Sequence, residues 1–194
     1  MTRLYIARHA EPQRPDEERR FFGQTNLPLG AHGVRQAQAL AVSLAAVRFD
    51  AVYSSDLARS RETAEIVAGA PGPAVTTDSR LREIDTGRWE GLTREEASKA
   101  FPGEFVEREA DVLGLPFPGG ESFPQLRERV LAALEDILAC RYTTALVVAH
   151  LGVNRVLLAH LLRMPFEELF SIRQDYCDFA VVDVPPGSTQ GPSS

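Results

Sequence analysis

The chain has 194 residues, 44% hydrophobic and 25% charged, and its 21 basic against 27 acidic side chains leave a formal charge of −6. That balance excludes a disordered chain, offers nucleic acid no basic stripe, and supplies enough apolar residues for one sizeable core. No apolar run nears the roughly 20 residues of a bilayer span, and Met1-Thr2-Arg3 leads straight into a strand without a signal-peptide pattern, so a cytoplasmic protein with no membrane partner is expected.

In chain order, Leu4-Tyr5-Ile6-Ala7 is an apolar strand that ends on Arg8-His9. A polar, proline-interrupted stretch follows from Glu11 to Gly30 and reads as a long functional loop. From Ala31 the period turns helical, with Val34, Ala37, Ala41, Leu44 and Val47 on one face. Residues 50–54 form a short strand, and Asp56 is placed to cap a helix that carries Leu57, Ala64, Ile66 and Val67 and stops at Gly69 and Pro71. A weak strand at 74–77 precedes Leu81-Arg82-Glu83-Ile84-Asp85, and Thr93 with Glu96 forms a capping box for a short helix.

Residues 101–121 are irregular and acidic, interrupted by Pro102, Pro116 and Pro118, and read as a lid. Ser122 and Gln125 repeat the capping-box spacing and open a long amphipathic helix through Leu126, Val130, Leu134 and Ile137. Its Arg127 and Arg129 read as solvated charges, and Glu121-Ser122 as no more than the start of the helix. Ala145 to Ala149 is a buried strand ending on His150, followed by a helix through Val153, Val156, Leu157 and Leu161 that Pro165 ends. Phe179 to Val184 is a last strand, and 185–194 a flexible tail without hydrophobes.

No linker divides residues 1–184, so a single domain is expected. Strands alternating with helices predict a three-layer α/β/α sandwich around a mainly parallel sheet, with an antiparallel edge. Ligands of such sheets bind beyond the carboxyl ends of the strands, so two strands that each end on a histidine would bring both imidazoles into one cleft if they lie side by side. Arg8 beside His9 narrows the ligand to an anion. Cys140 and Cys177 form neither a CxxC site nor a disulfide framework, and no spacing of His32 or His160 with carboxylates or cysteines suggests a metal.

The ordered set Arg8-His9-Ala10-Glu11, Ser54-Ser55-Asp56-Leu57-Ala58-Arg59, Leu81-Arg82-Glu83 and Ala149-His150-Leu151-Gly152 closely resembles the histidine phosphatase superfamily, also called phosphoglycerate mutase-like. Gly33 with Gln36, Trp89-Glu90-Gly91 and Pro118-Gly119-Gly120-Glu121-Ser122 extend the likeness over residues 3–183. The resemblance implies that His9 is a nucleophile forming a phosphohistidine and that Arg8 and Arg59 clamp the phosphoryl oxygens. His150 would donate to the transferring group, and Glu83 would give its proton to the leaving alkoxide. The amides of Leu151, Gly23 and Gln24 would add phosphate donors. The chain departs from the family pattern at Ala10 and Leu151, where glycines are usual, and at Pro15, where an asparagine is.

These residues imply a metal-independent phosphomonoesterase acting on a phosphorylated small molecule without a cofactor, similar to α-ribazole phosphatases and broad-specificity bacterial phosphatases. The alternatives are a cofactor-dependent phosphoglycerate mutase and a catalytically silent phosphate-binding or interaction module. The acidic 101–121 segment, with Glu104, Glu107, Glu109 and Asp111 against Arg108, reads as a poor cradle for a small carboxylate and disfavours the mutase. Phe21-Phe22 reads either as core or as an aromatic wall for the leaving group. The sequence also leaves a homodimer open.

Overall fold

The computed structural model describes residues 1–186; most of the tail expected at 185–194 lies outside them. Alternating burial along Thr2–Arg8 makes β1, and Thr144–Ala149 makes β4, its parallel neighbour. With β2 (Ala51–Ser54), β3 (Val75–Thr77) and β5 (Phe179–Val184) they form one sheet ordered β3-β2-β4-β1-β5. All pairs are parallel except β1 with β5, as the reading of a mainly parallel sheet with an antiparallel edge requires.

The even face of β4 and the odd face of β1 meet α1 (Ala31–Ser43) and α2 (Ala58–Ala68): Ala7, Leu146 and Val148 pack with Leu40, Leu44 and Ala64. On the other face, Leu4, Ile6, Ala145 and Val147 pack with Leu126, Val130, Val153 and Leu157 of α5 (Phe123–Ala139) and α6 (Leu151–Leu161). Strand side chains alternate between faces, so both faces of these central strands are apolar and each needs a helical layer. The α/β/α sandwich follows.

Three local expectations change. The first helix ends at Ser43, before Leu44 and Val47. Asp56 does not cap α2; it takes a bidentate ion pair from Arg82 at 2.7 and 2.6 Å, and Asn26 Oδ1 accepts the Ala58 amide instead at 2.7 Å. A forked charged pair outcompetes a neutral cap bond for that carboxylate. After α3 (Arg94–Ala100), residues Pro102–Ala110 of the expected irregular segment form a further helix, α4. Its proline stands in the first turn, where the missing N–H costs nothing and the fixed φ suits a helix.

Candidate active site

The register Arg8↔Ala149 places His9 and His150 each one residue past the end of adjacent strands, and their ring centroids are 4.9 Å apart. His9 is 6% exposed, and its Nδ1 lies 2.7 Å from the Ala10 carbonyl oxygen. A carbonyl only accepts, so Nδ1 carries the proton and Nε2 keeps its lone pair. Burial, with Arg59 and then Arg8 adding to it, holds the His9 pKa well below the usual histidine value. The imidazole is therefore neutral, as a nucleophile must be.

Arg59, 2% exposed, is held by three bonds: Nη1 to the Thr25 carbonyl and Nη2 to the Gly23 carbonyl, both 2.7 Å, and Nε to His9 Nε2 at 3.3 Å. Arg8 donates from Nη1 to the Gln174 carbonyl at 2.9 Å, and its guanidinium lies 4.1 Å above the Tyr176 ring, while its buried Nε has no acceptor among the described residues. Gln174 is fixed in turn by donating to the Ile6 carbonyl and accepting from Asn154.

His150 is wholly buried, and burial with Arg59 holds its pKa well below the usual value too. Its Nε2 lies 2.7 Å from Ser55 Oγ, which accepts from the Leu57 amide. Either Nε2 or Oγ can be the donor, and the other ring nitrogen, Nδ1, is buried without a partner among the described residues. The unmatched buried Arg8 Nε–H suits an anion, and so does His150 Nδ1 in the tautomer that carries its proton there.

Glu83 reaches the same place from the loop after β3. Its carboxylate accepts from the Ile84 amide at 2.9 Å and from the Gly152 amide in the first turn of α6 at 3.1 Å. A Cβ on residue 152 would stand 2.3 Å from Glu83 Oε1, so any larger residue there would have to displace the carboxylate. Neither flanking arginine pairs with Glu83: Arg80 binds Asp78 and Asp136, and Arg82 binds Asp56. Arg129, read as solvated, instead donates to the carbonyls of Arg80 and Arg82 at 2.7 Å and of Glu83 at 3.0 Å. Glu121 holds it through two bonds of 2.7 Å, so this pair fixes the strand of chain that carries Glu83.

His9, Arg8, Arg59, Glu83 and Leu151 line one cleft of about 810 Å³; His150 lies behind it. The Gly23 and Gln24 amides, expected as phosphate donors, are instead engaged by Glu90 Oε2 at 3.1 and 3.4 Å. A carboxylate already in place captures them, and it is the Gly23 carbonyl that serves the site, through Arg59. Leu151 supplies the first amide of α6, one of the donors a helix leaves unpaired. Among the described residues, nothing from the expected lid, 101–121, lines the cleft; α4 packs beside Trp89 through Phe105. The Phe21-Phe22 pair splits: Phe21 packs on Trp89 and Phe117, whereas Phe22 lines the cleft. Among the described residues no three His, Cys, Asp or Glu side chains group closely enough to hold a metal ion.

Two neutral imidazoles, two arginines and a carboxylate thus meet at the carboxyl ends of parallel strands of an α/β sheet, an arrangement suited to an anionic ligand. A profile of the histidine phosphatase superfamily (branch 1) matches residues 4–191, and the chain belongs to that superfamily. It is 36% identical over 187 residues to "Probable phosphoglycerate mutase GpmB" of Proteus mirabilis, covering 94% of this chain and 85% of that one. Among solved structures, the α-ribazole phosphatase of Shigella flexneri superposes with a TM-score of 0.89 at 28% identity, covering 95% and 92% of the two chains. YhfR of Bacillus stearothermophilus gives 0.86 at 34% identity, covering 96% and 93%. The mycobacterial glucosyl-3-phosphoglycerate phosphatase gives 0.82 at 27%, covering 93% and 89%.

Proposed function

We propose that the chain is a metal-independent phosphomonoesterase that passes the phosphoryl group of a small metabolite through His9. The observation that carries this reading is the tautomer of His9: Nδ1–H is held by the Ala10 carbonyl, so the lone pair sits on Nε2 beside Arg59. Nε2 attacks phosphorus, the P–O ester bond breaks, and Glu83, which takes up a proton as the anionic phosphate enters beside it, gives that proton to the departing oxygen. Arg8, Arg59 and His150 donate to the equatorial oxygens as charge spreads over them. Water then attacks the phosphohistidine, returns its proton to Glu83, and releases inorganic phosphate with His9 restored.

A mutase shares the first half of this sequence but must return the phosphoryl group to a substrate instead of to water. The side chains at the mouth of the cleft, among them Glu17, Arg19, Arg173 and Asp175, are exposed, which favours access of water and supports hydrolysis. The name carried by the Proteus mirabilis relative favours the mutase as the second reading. The experiment is release of inorganic phosphate from phenyl phosphate in excess EDTA. Turnover that survives the chelator and is lost in His9→Ala is the expected result. Isomerisation of 3-phosphoglycerate without phosphate release would favour the mutase, and no reaction on any phosphomonoester would favour a silent module.

A further inference from the structure

A chain with a net charge of −6 concentrates seven arginines around this one cleft, against the carboxylates of Glu17, Glu83 and Asp175. Four of the seven are accounted for. Arg8 and Arg59 belong to the phosphoryl pocket, Arg14 pairs with Glu11, and Arg20 pairs with Asp16, Glu18 and Glu96. Arg19, Arg155 and Arg173 form no ion pair among the described residues.

Arg155 is the informative one of these, because it is half-buried and built in place. Its Nε donates to the Ile172 carbonyl at 3.1 Å, and its guanidinium lies 5.4 Å from the centroid of the Phe170 ring. A guanidinium fixed along one edge and one face keeps its remaining N–H groups pre-aligned for a planar anion. Burial lowers its pKa; Glu83 opposes that shift, while Arg173 and Arg8 add to it, which places two more cations within its field. Glu83 is beyond ion-pair distance, and backbone amides already take both of its oxygens. A half-buried cation facing like charges is costly unless an anion comes to it.

We propose that the outer cleft is a second anion site, built on Arg155 with Arg173 beside it, and that the preferred substrate is a phosphomonoester whose leaving group carries a carboxylate or phosphate of its own. This rests on the phosphomonoesterase reading of His9 and narrows its substrate class. It also removes the objection to carboxylated substrates drawn from the acidic 101–121 segment, which lies away from the cleft.

The test compares phosphate release from glycerol 3-phosphate, 3-phosphoglycerate and glycerol 1,3-bisphosphate, three compounds that differ in the second anion. At least one doubly anionic compound should exceed glycerol 3-phosphate in kcat/KM by about tenfold, the value of one good charge-assisted contact. Which one leads separates a carboxylate from a phosphate. That ratio should collapse towards one in Arg155→Met, which keeps the stem over Phe170, and be partly restored in Arg155→Lys. A wild-type ratio near one, or a ratio that Arg155→Met leaves intact, overturns the proposal. Calorimetric titration of His9→Asn with the same compounds reads the site without turnover. If the native chain hydrolyses none of them and no other phosphomonoester, the hydrolase reading fails; the second anion site then stands if affinity still follows the second anion and Arg155, and falls if it does not.

Discussion

Glu90 shows how much of this site is held by a residue that does not line it. Its two oxygens accept from the amides of Gly23, Gln24 and Thr25 at 3.1, 3.4 and 2.8 Å, and from the hydroxyls of Thr25 and Thr86. The carbonyls of that same loop hold both Nη atoms of Arg59, so Glu90 positions the arginine through the backbone. An amide in place of the carboxylate cannot accept on its nitrogen, and Glu90→Gln therefore breaks one arm of the fan. The expected loss is about 10- to 100-fold in kcat/KM, the usual scale for a group that orients a contacting residue. Inhibition by orthovanadate, which mimics the five-coordinate phosphorus, should weaken in parallel. A stability change with unaltered vanadate affinity would make Glu90 merely structural.

At the scale of elements, the sequence pattern carried the strands and the amphipathic helices because both depend on local period: Phe123 to Ala139 and Thr144 to Ala149 lie where their apolar spacing puts them. The histidine at each strand end was legible for the same reason, since a strand fixes where its next residue emerges. Contacts made across long separations were not. Gln174 and Tyr176 come from a turn-like connection before β5, with no periodicity to mark them, yet one fixes Arg8 and the other lies beneath it. Arg129 reads as solvated because it follows the charged, exposed Arg127 and Glu128; its carbonyl partners stand 46 to 49 residues away. The α4 helix is hidden in the sequence because prolines read as breakers unless they fall in a helix's first turn.

For the molecule as a whole, two buried neutral histidines at one site tie folding to pH. In the unfolded chain both take up protons as pH falls through about 6.5, whereas the native state, with both pKa values held well below that by burial and Arg59, does not. Stability is therefore full above that range and declines as pH falls below it, by up to about 2.7 kcal/mol per pH unit for two such groups. His160, lowered by burial as well, adds a smaller share. Denaturant midpoints measured from pH 7.5 to 5 should fall accordingly, with a shallower slope in His9→Asn; a flat profile would mean that the imidazoles are not held neutral.

On the proposed mechanism the same neutrality lets His9 attack, and a covalent intermediate would be its direct product. Turnover mixtures quenched within milliseconds, kept alkaline and digested for mass spectrometry should carry a phosphoryl group on His9, acid-labile and discharged as product forms. A phosphoryl group on any other side chain, or steady turnover with no adduct and a demand for divalent metal, would contradict the account.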